Sequence, residues 1–152
     1  MKKTLFFLIA FGVILCSKAQ EIKWLTLNEA LTLQKKDPKP IFMDVYTPWC
    51  GPCKMLDNQT FKNKAFEEFI AKNYYTVKFN AEGNPKITYN AKQYSNPEYK
   101  EGQKGRNGTH QFADFLNLEG YPTMIIFDRK GAIAKSIVGF RTAEQLLSEI
   151  KL

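Results

Sequence analysis

The sequence predicts an α/β fold, strands covered by helices, and three observations carry that reading. The run Ile41-Phe42-Met43-Asp44-Val45-Tyr46 is largely apolar on both alternate faces, which suits a strand covered by helices on both sides. Phe61, Ala65, Phe66, Phe69 and Ile70 then recur at helical spacing, with Lys62, Lys64, Glu67, Glu68 and Lys72 between them. Tyr75 to Asn80 alternates again, with Tyr75, Val77 and Phe79 on one face and Lys78 on the other. Strand, helix and strand in this order make a βαβ unit.

At 152 residues and 44% hydrophobic content, the chain suits one core and is short for two. Residues 1–19 are expected to lie outside it as a signal peptide. Lys2 and Lys3 precede an apolar stretch from Leu5 to Leu15, and Ser17-Lys18-Ala19 offers the small residues a signal peptidase reads, with cleavage before Gln20. That stretch is too short to span a bilayer, so no membrane span is expected in the mature chain. Cys16 raises lipid attachment as an alternative, disfavoured by the bulk of Leu15 before it. The domain is then 20–152, in a periplasmic or secreted setting. Removing Lys2, Lys3 and Lys18 from a net charge of +7 leaves +4. With no dense basic block or arginine stripe, nucleic acid is not an expected partner.

From Gln20 onward, Ile22 to Leu25 reads as a short first strand and Thr26-Leu27-Asn28-Glu29 as a capping box opening a helix to about Gln34. Asp37-Pro38-Lys39-Pro40 stops it. Beyond the βαβ unit, 83–108 is a polar insertion in which Pro85 is expected to start a short helix reaching Tyr94. Its tyrosines, Tyr89, Tyr94 and Tyr99, suggest either a binding lid or, more often for such loops, self-packing of an exposed segment. Thr109 is expected to cap a helix that turns Phe112, Phe115 and Leu116 inward, with His110 solvated at its start. Thr123 to Phe127, a turn at Asp128-Arg129-Lys130-Gly131, and Ala132 to Val138 read as an antiparallel pair. Thr142-Ala143-Glu144-Gln145 opens a last helix with Leu146, Leu147 and Ile150 on its core face.

The chemistry concentrates in Trp49-Cys50-Gly51-Pro52-Cys53-Lys54, at the first strand-to-helix junction. Two thiols separated by two residues can close a small ring, and a thiolate at a helix start is stabilised by unpaired N–H groups. Pro52 is tolerated there because its missing N–H would have had no partner. A bridge across so short a loop does little to staple a fold, so the pair reads as chemical rather than structural. A zinc site lacks donors, since one such pair supplies two ligands and His110 is the sole histidine; no metal is expected.

With this motif, the βαβ unit and the later Tyr121-Pro122-Thr123, residues 22–152 resemble the thioredoxin superfamily, interrupted by 83–108. Trp49 to Lys54 followed by Thr60-Phe61 looks like its secreted or periplasmic members, including the C-terminal domain of DsbD-type thiol:disulfide interchange proteins. The resemblance implies a thioredoxin fold, a central mixed β-sheet flanked by helices, with the insertion placed before the cis-proline helix and strand. It makes Cys50 the exposed attacking cysteine, Cys53 the buried resolving one, Asp44 the buried carboxylate behind them and Lys78 its neighbour. It makes Pro122 the cis-proline and, with Trp49, Gly51, Pro52 and Tyr121, part of the substrate-binding face. Taken on their residues alone, Asp44 reads more simply as a structural carboxylate paired with Lys78, and Pro122 as an ordinary trans proline at a strand edge; only the resemblance reverses these readings.

The expected activity is exported thiol:disulfide oxidoreduction, most simply reduction of disulfides in other exported proteins, with a membrane thiol-transfer protein as electron donor and no cofactor. The same residues running in reverse make an oxidase or isomerase. A non-catalytic binding module built on Tyr121-Pro122 or on the insertion is the alternative from another class.

Overall fold

The computed structural model describes residues 21–151, so the expected signal peptide, its cleavage before Gln20, and Cys16 lie outside the described residues. Five strands form the main sheet: β1 (Trp24–Leu25), β2 (Ile41–Tyr46), β3 (Tyr75–Asn80), β6 (Thr123–Phe127) and β7 (Ile133–Val138). Their spatial order is β1-β3-β2-β6-β7. Strand β3 runs parallel to β1 and β2, whereas β6 is antiparallel to both β2 and β7. The sheet is therefore mixed, with β2 at its centre.

The helices are α1 (Leu27–Gln34), α2 (Gly51–Met55), α3 (Lys64–Asn73), α4 (Gln111–Phe115) and α5 (Ala143–Ile150). Alternation along β2 divides the core in two. Ile41, Met43 and Val45 pack with Leu27, Ala30, Phe79 and Phe112 on one face. Phe42 packs with Leu56, Phe66, Ile70, Leu146 and Ile150 on the other. Each large side chain sealed in this way contributes about 1.5–3 kcal/mol through burial. Asp44 shares the Phe42 face by the two-residue period of a strand, although it is fully buried.

Both expected capping boxes form, Thr26 with Glu29 on α1 and Thr142 with Gln145 on α5. Asn63 caps α3, which leaves Phe61 before the helix and Ala65 on its exposed side. Among the described residues, no helix is long and apolar enough to cross a membrane.

The insertion departs from expectation. In place of a helix from Pro85 to Tyr94 there is a hairpin, β4 (Ile87–Tyr89) and β5 (Lys92–Tyr94), paired antiparallel with Tyr89 opposite Lys92. Asn90 and Ala91 hold φ of 49° and 60°, the backbone of a tight two-residue hairpin turn. Tyr89 and Tyr94 line no lid; both are buried against Phe112, and Tyr99 alone of the three is exposed.

His110, not Thr109, caps α4, and it is fully buried rather than solvated. Its Nδ1 accepts from the Phe112 N–H at 3.0 Å and its Nε2 lies 2.7 Å from the Pro85 carbonyl, a pairing that requires the neutral ring with the proton on Nε2. Burial pulls its pKa down, against a smaller upward pull from the Pro85 carbonyl. The ring fastens the start of the insertion to α4. Phe115, expected inward, is 45% exposed because α4 is little more than one turn and only Phe112 and Ala113 reach the core.

Candidate active site

Strand β2 delivers the chain to Thr47, and Cys50 caps α2 with extended backbone (φ −73°, ψ 109°). Cys50 and Cys53 are joined as a disulfide. The Cys50 Sγ also accepts from the Cys53 N–H at 3.1 Å, so an otherwise unpaired amide of the helix start is directed at this sulfur. Pro52 sits within the first turn, where no helical hydrogen bond is lost. Cys50 is 3% exposed, the same as Cys53, and so is not the more exposed of the two in the oxidised state. Its sulfur is tied inward to Cys53 Sγ and to the Cys53 amide. The neighbouring surface is open, since a Cβ on Gly51 would meet nothing within 4 Å, and Trp49 is 39% exposed.

The Tyr121–Pro122 bond is cis, and Pro122 is buried at the entry to β6. The Pro122 carbonyl accepts from the Gly139 N–H at 2.8 Å. Tyr121 meets Trp49 edge to face with centroids 6.0 Å apart, which joins the cysteine loop to the proline loop.

Within the sheet, Asp44 and Lys78 are register partners on β2 and β3. Lys78 Nζ lies 3.4 Å from Asp44 Oδ2, an ion-pair distance without hydrogen-bond geometry, and neither Asp44 oxygen has a hydrogen-bond partner among the described residues. The ammonium is instead hydrogen-bonded to Asp57 and stands over the rings of Tyr46, Trp24 and Phe61 at 4.8, 5.3 and 5.8 Å. Asp57 follows Cys53 by four residues, in the π-helical turn Leu56–Thr60 that continues α2. Burial raises the Asp44 pKa from 3.8 to about 7; Lys78 opposes the rise and Asp57 reinforces it. A carboxylate so placed can take up or release a proton near neutrality.

Two residues of this neighbourhood are new. Asp57 stands one turn beyond Cys53, a spacing that exposes it to sequence reasoning once α2 is drawn long enough. Glu82, 8% exposed, accepts the Trp49 indole N–H at 2.9 and 3.0 Å and also the Asn107 amide at 2.9 Å. Nothing local in the sequence marks it.

The model of the thioredoxin-like domain family matches residues 27–152. The chain belongs to that family. The thioredoxin-like domain is 26% identical over 127 residues to the thiol:disulfide interchange protein DsbD of Pectobacterium atrosepticum, a match that covers 82% of this chain and 18% of that protein. The chain thus corresponds to less than a fifth of this much longer relative. It is also 26% identical over 127 residues to thioredoxin of Alicyclobacillus acidocaldarius, covering 83% of this chain and 93% of that one. Among solved structures, thioredoxin from Thermus thermophilus superposes with a TM-score of 0.62 at 14% identity, over 85% of this chain and 84% of the other, a likeness of fold. The thioredoxin-like domain here therefore combines the family's mixed sheet with an intact Cys50–Cys53 pair.

Proposed function

We propose that this chain is an exported thiol:disulfide oxidoreductase that reduces disulfides in other exported proteins. The observation that carries the reading is the Cys50–Cys53 disulfide at the start of α2, with the Cys53 N–H donating to the Cys50 sulfur. In the reduced protein the Cys50 thiolate attacks one sulfur of a client disulfide; a mixed disulfide forms and the other client sulfur leaves as a thiolate that takes a proton. Cys53 gives up its proton to the Asp44 carboxylate and attacks the Cys50 sulfur, releasing the second client thiol. Two electrons pass to the client, and Cys50–Cys53 is left oxidised. Asp44 is the proton acceptor of the second step, and Lys78 is the positioning residue that keeps its charged form accessible. Trp49, Gly51, Pro52, Tyr121 and Pro122 form the face that receives the client, with the Tyr121 backbone available to pair with an extended segment as in strand addition.

Continued turnover needs a dithiol donor, and a membrane thiol-transfer protein fits the export reading. Export itself is supported by the lysine-led apolar segment within 1–19. Sequencing the N-terminus of protein recovered from the producing cell is expected to begin at Gln20; protein beginning at Met1 would remove this part of the reading.

The direction of electron flow is tested by equilibrating the Cys50–Cys53 pair against glutathione or dithiothreitol. A potential near the roughly −270 mV of thioredoxin is expected of an electron-fed reductase; one near the roughly −120 mV of a strong oxidant would make the protein a disulfide donor.

A further inference from the structure

The insertion 83–108 carries five basic residues against two acidic ones, and its distal arm is built rather than loose. Asn96 donates through Nδ2 to the carbonyls of both Gly83 and Gly108, at 2.9 and 2.7 Å, closing the base of the arm. A Cβ on Gly108 would stand 2.5 Å from the Cβ of Glu98, so only glycine allows this approach. The Asn107 side chain accepts from the Lys100 N–H at 2.9 Å and donates to the Lys100 carbonyl at 2.8 Å, tying the arm's two sides together.

The returning segment of the arm meets the active site. The Asn107 amide donates to Glu82, which also accepts the Trp49 indole N–H, so one buried carboxylate fixes both the insertion and the residue before Cys50. Beside it the Arg106 guanidinium lies 4.4 Å from the centroid of the Trp49 ring. Trp49 is thus held between Tyr121 and Arg106. Arg106 is exposed and makes no ion pair within 4.0 Å among the described residues. The Glu82 oxygens are already engaged by Trp49 and Asn107. Stacking on an indole orients a guanidinium and leaves its edge N–H donors free for a carboxylate, which they match in a bidentate fork.

We propose that Arg106 is a specificity-determining residue that binds an acidic side chain in the client segment flanking the disulfide attacked by Cys50. This rests on the reading of Cys50 as the attacking thiol. Charge complementarity supports the choice of partner: Lys100 and Lys104 lie on the same arm as Arg106, with Glu98 and Glu101 the only acids there. An unpaired cation on the rim of a binding face favours acidic encounters by steering and by contact.

The test uses the reduced full domain and two peptide disulfides that differ only in glutamate or glutamine beside the reactive cysteine, with uncharged hydroxyethyl disulfide as a third substrate. The glutamate peptide is expected to react about fivefold faster than the glutamine peptide at low ionic strength, as an exposed charge pair allows. The ratio should fall towards one in about 0.5 M salt, where screening acts over a few ångströms. Arg106→Gln is expected to bring the ratio to one, and Arg106→Lys to retain part of it. The readout is the ratio and not the rate. Equal rates for both peptides in the wild type, or a ratio that survives Arg106→Gln even as both rates fall, would overturn the proposal. Failure to exchange with any of the three disulfides would overturn the underlying reading of Cys50 and this one with it.

Discussion

Cys50→Ser is expected to abolish disulfide exchange, by more than about a thousandfold, because a serine hydroxyl stays protonated where a thiol ionises and cannot form the mixed disulfide. Cys53→Ser is expected to fail differently. Its Cys50 thiolate still attacks, but nothing resolves the product, so clients accumulate covalently bound to Cys50. The two variants lose the same disulfide and each replaces one sulfur by one oxygen, so a difference between them reports chemistry rather than packing. Insulin reduction with dithiothreitol measures the first effect; non-reducing electrophoresis followed by mass spectrometry of the adducts measures the second. Full activity in Cys50→Ser would show that the reaction does not pass through this sulfur. Trapping by Cys50→Ser and not by Cys53→Ser would reverse the assigned order of attack.

The cysteine loop was legible because its signals are local. A strand apolar on both faces, a cysteine at a helix start and a proline tolerated in the first turn all follow from neighbours in sequence. The same holds for the capping boxes at Thr26 and Thr142, where a side chain meets an amide three residues on. What failed either lacked its usual local marker or depended on distant partners. The β4–β5 turn uses Asn90-Ala91 in the left-handed region, and alanine hides a turn that glycine in that place would have announced. Pro85 resembled a helix start, yet its role is to offer a carbonyl to His110, 25 residues away. The burial of His110 follows from that bond, which no periodicity contains.

The site divides along the same line. Asp44 stood out as the one acid in an apolar strand, and the resemblance supplied Lys78 as its neighbour. The cation over Trp49 left no trace, because Arg106 lies 57 positions along the chain and reaches the ring only through the folded arm. Glu82 was equally silent, since its two donors come from Trp49 on one side and Asn107 on the other.

Asp44→Asn is expected to make the protein more stable and less active. Asp44 is sealed from solvent with neither oxygen hydrogen-bonded among the described residues, and burial raises its pKa from 3.8 to about 7. The native state therefore holds this proton more tightly than the unfolded chain does. The stability this supplies is fully present below about pH 3.8 and is lost as pH rises through about 7, at roughly 1.4 kcal/mol per unit, so that about 4 kcal/mol separates the two ends of the window. Asparagine has nearly the same volume and never ionises, and Lys78 keeps Asp57 as its partner when Asp44 is gone. Urea unfolding should then show Asp44→Asn ahead of the wild type by a few kcal/mol at about pH 8, with the gap closing towards about pH 4. Activity should move the other way: without a proton acceptor for Cys53, the resolving step slows by about a hundredfold, the usual scale for a lost general base. A purely structural carboxylate would not couple a gain in stability to that loss. If Asp44→Asn were less stable than the wild type above pH 7, desolvation would not be the dominant effect on this group; if it turned over normally across the neutral range, Cys53 would pass its proton elsewhere.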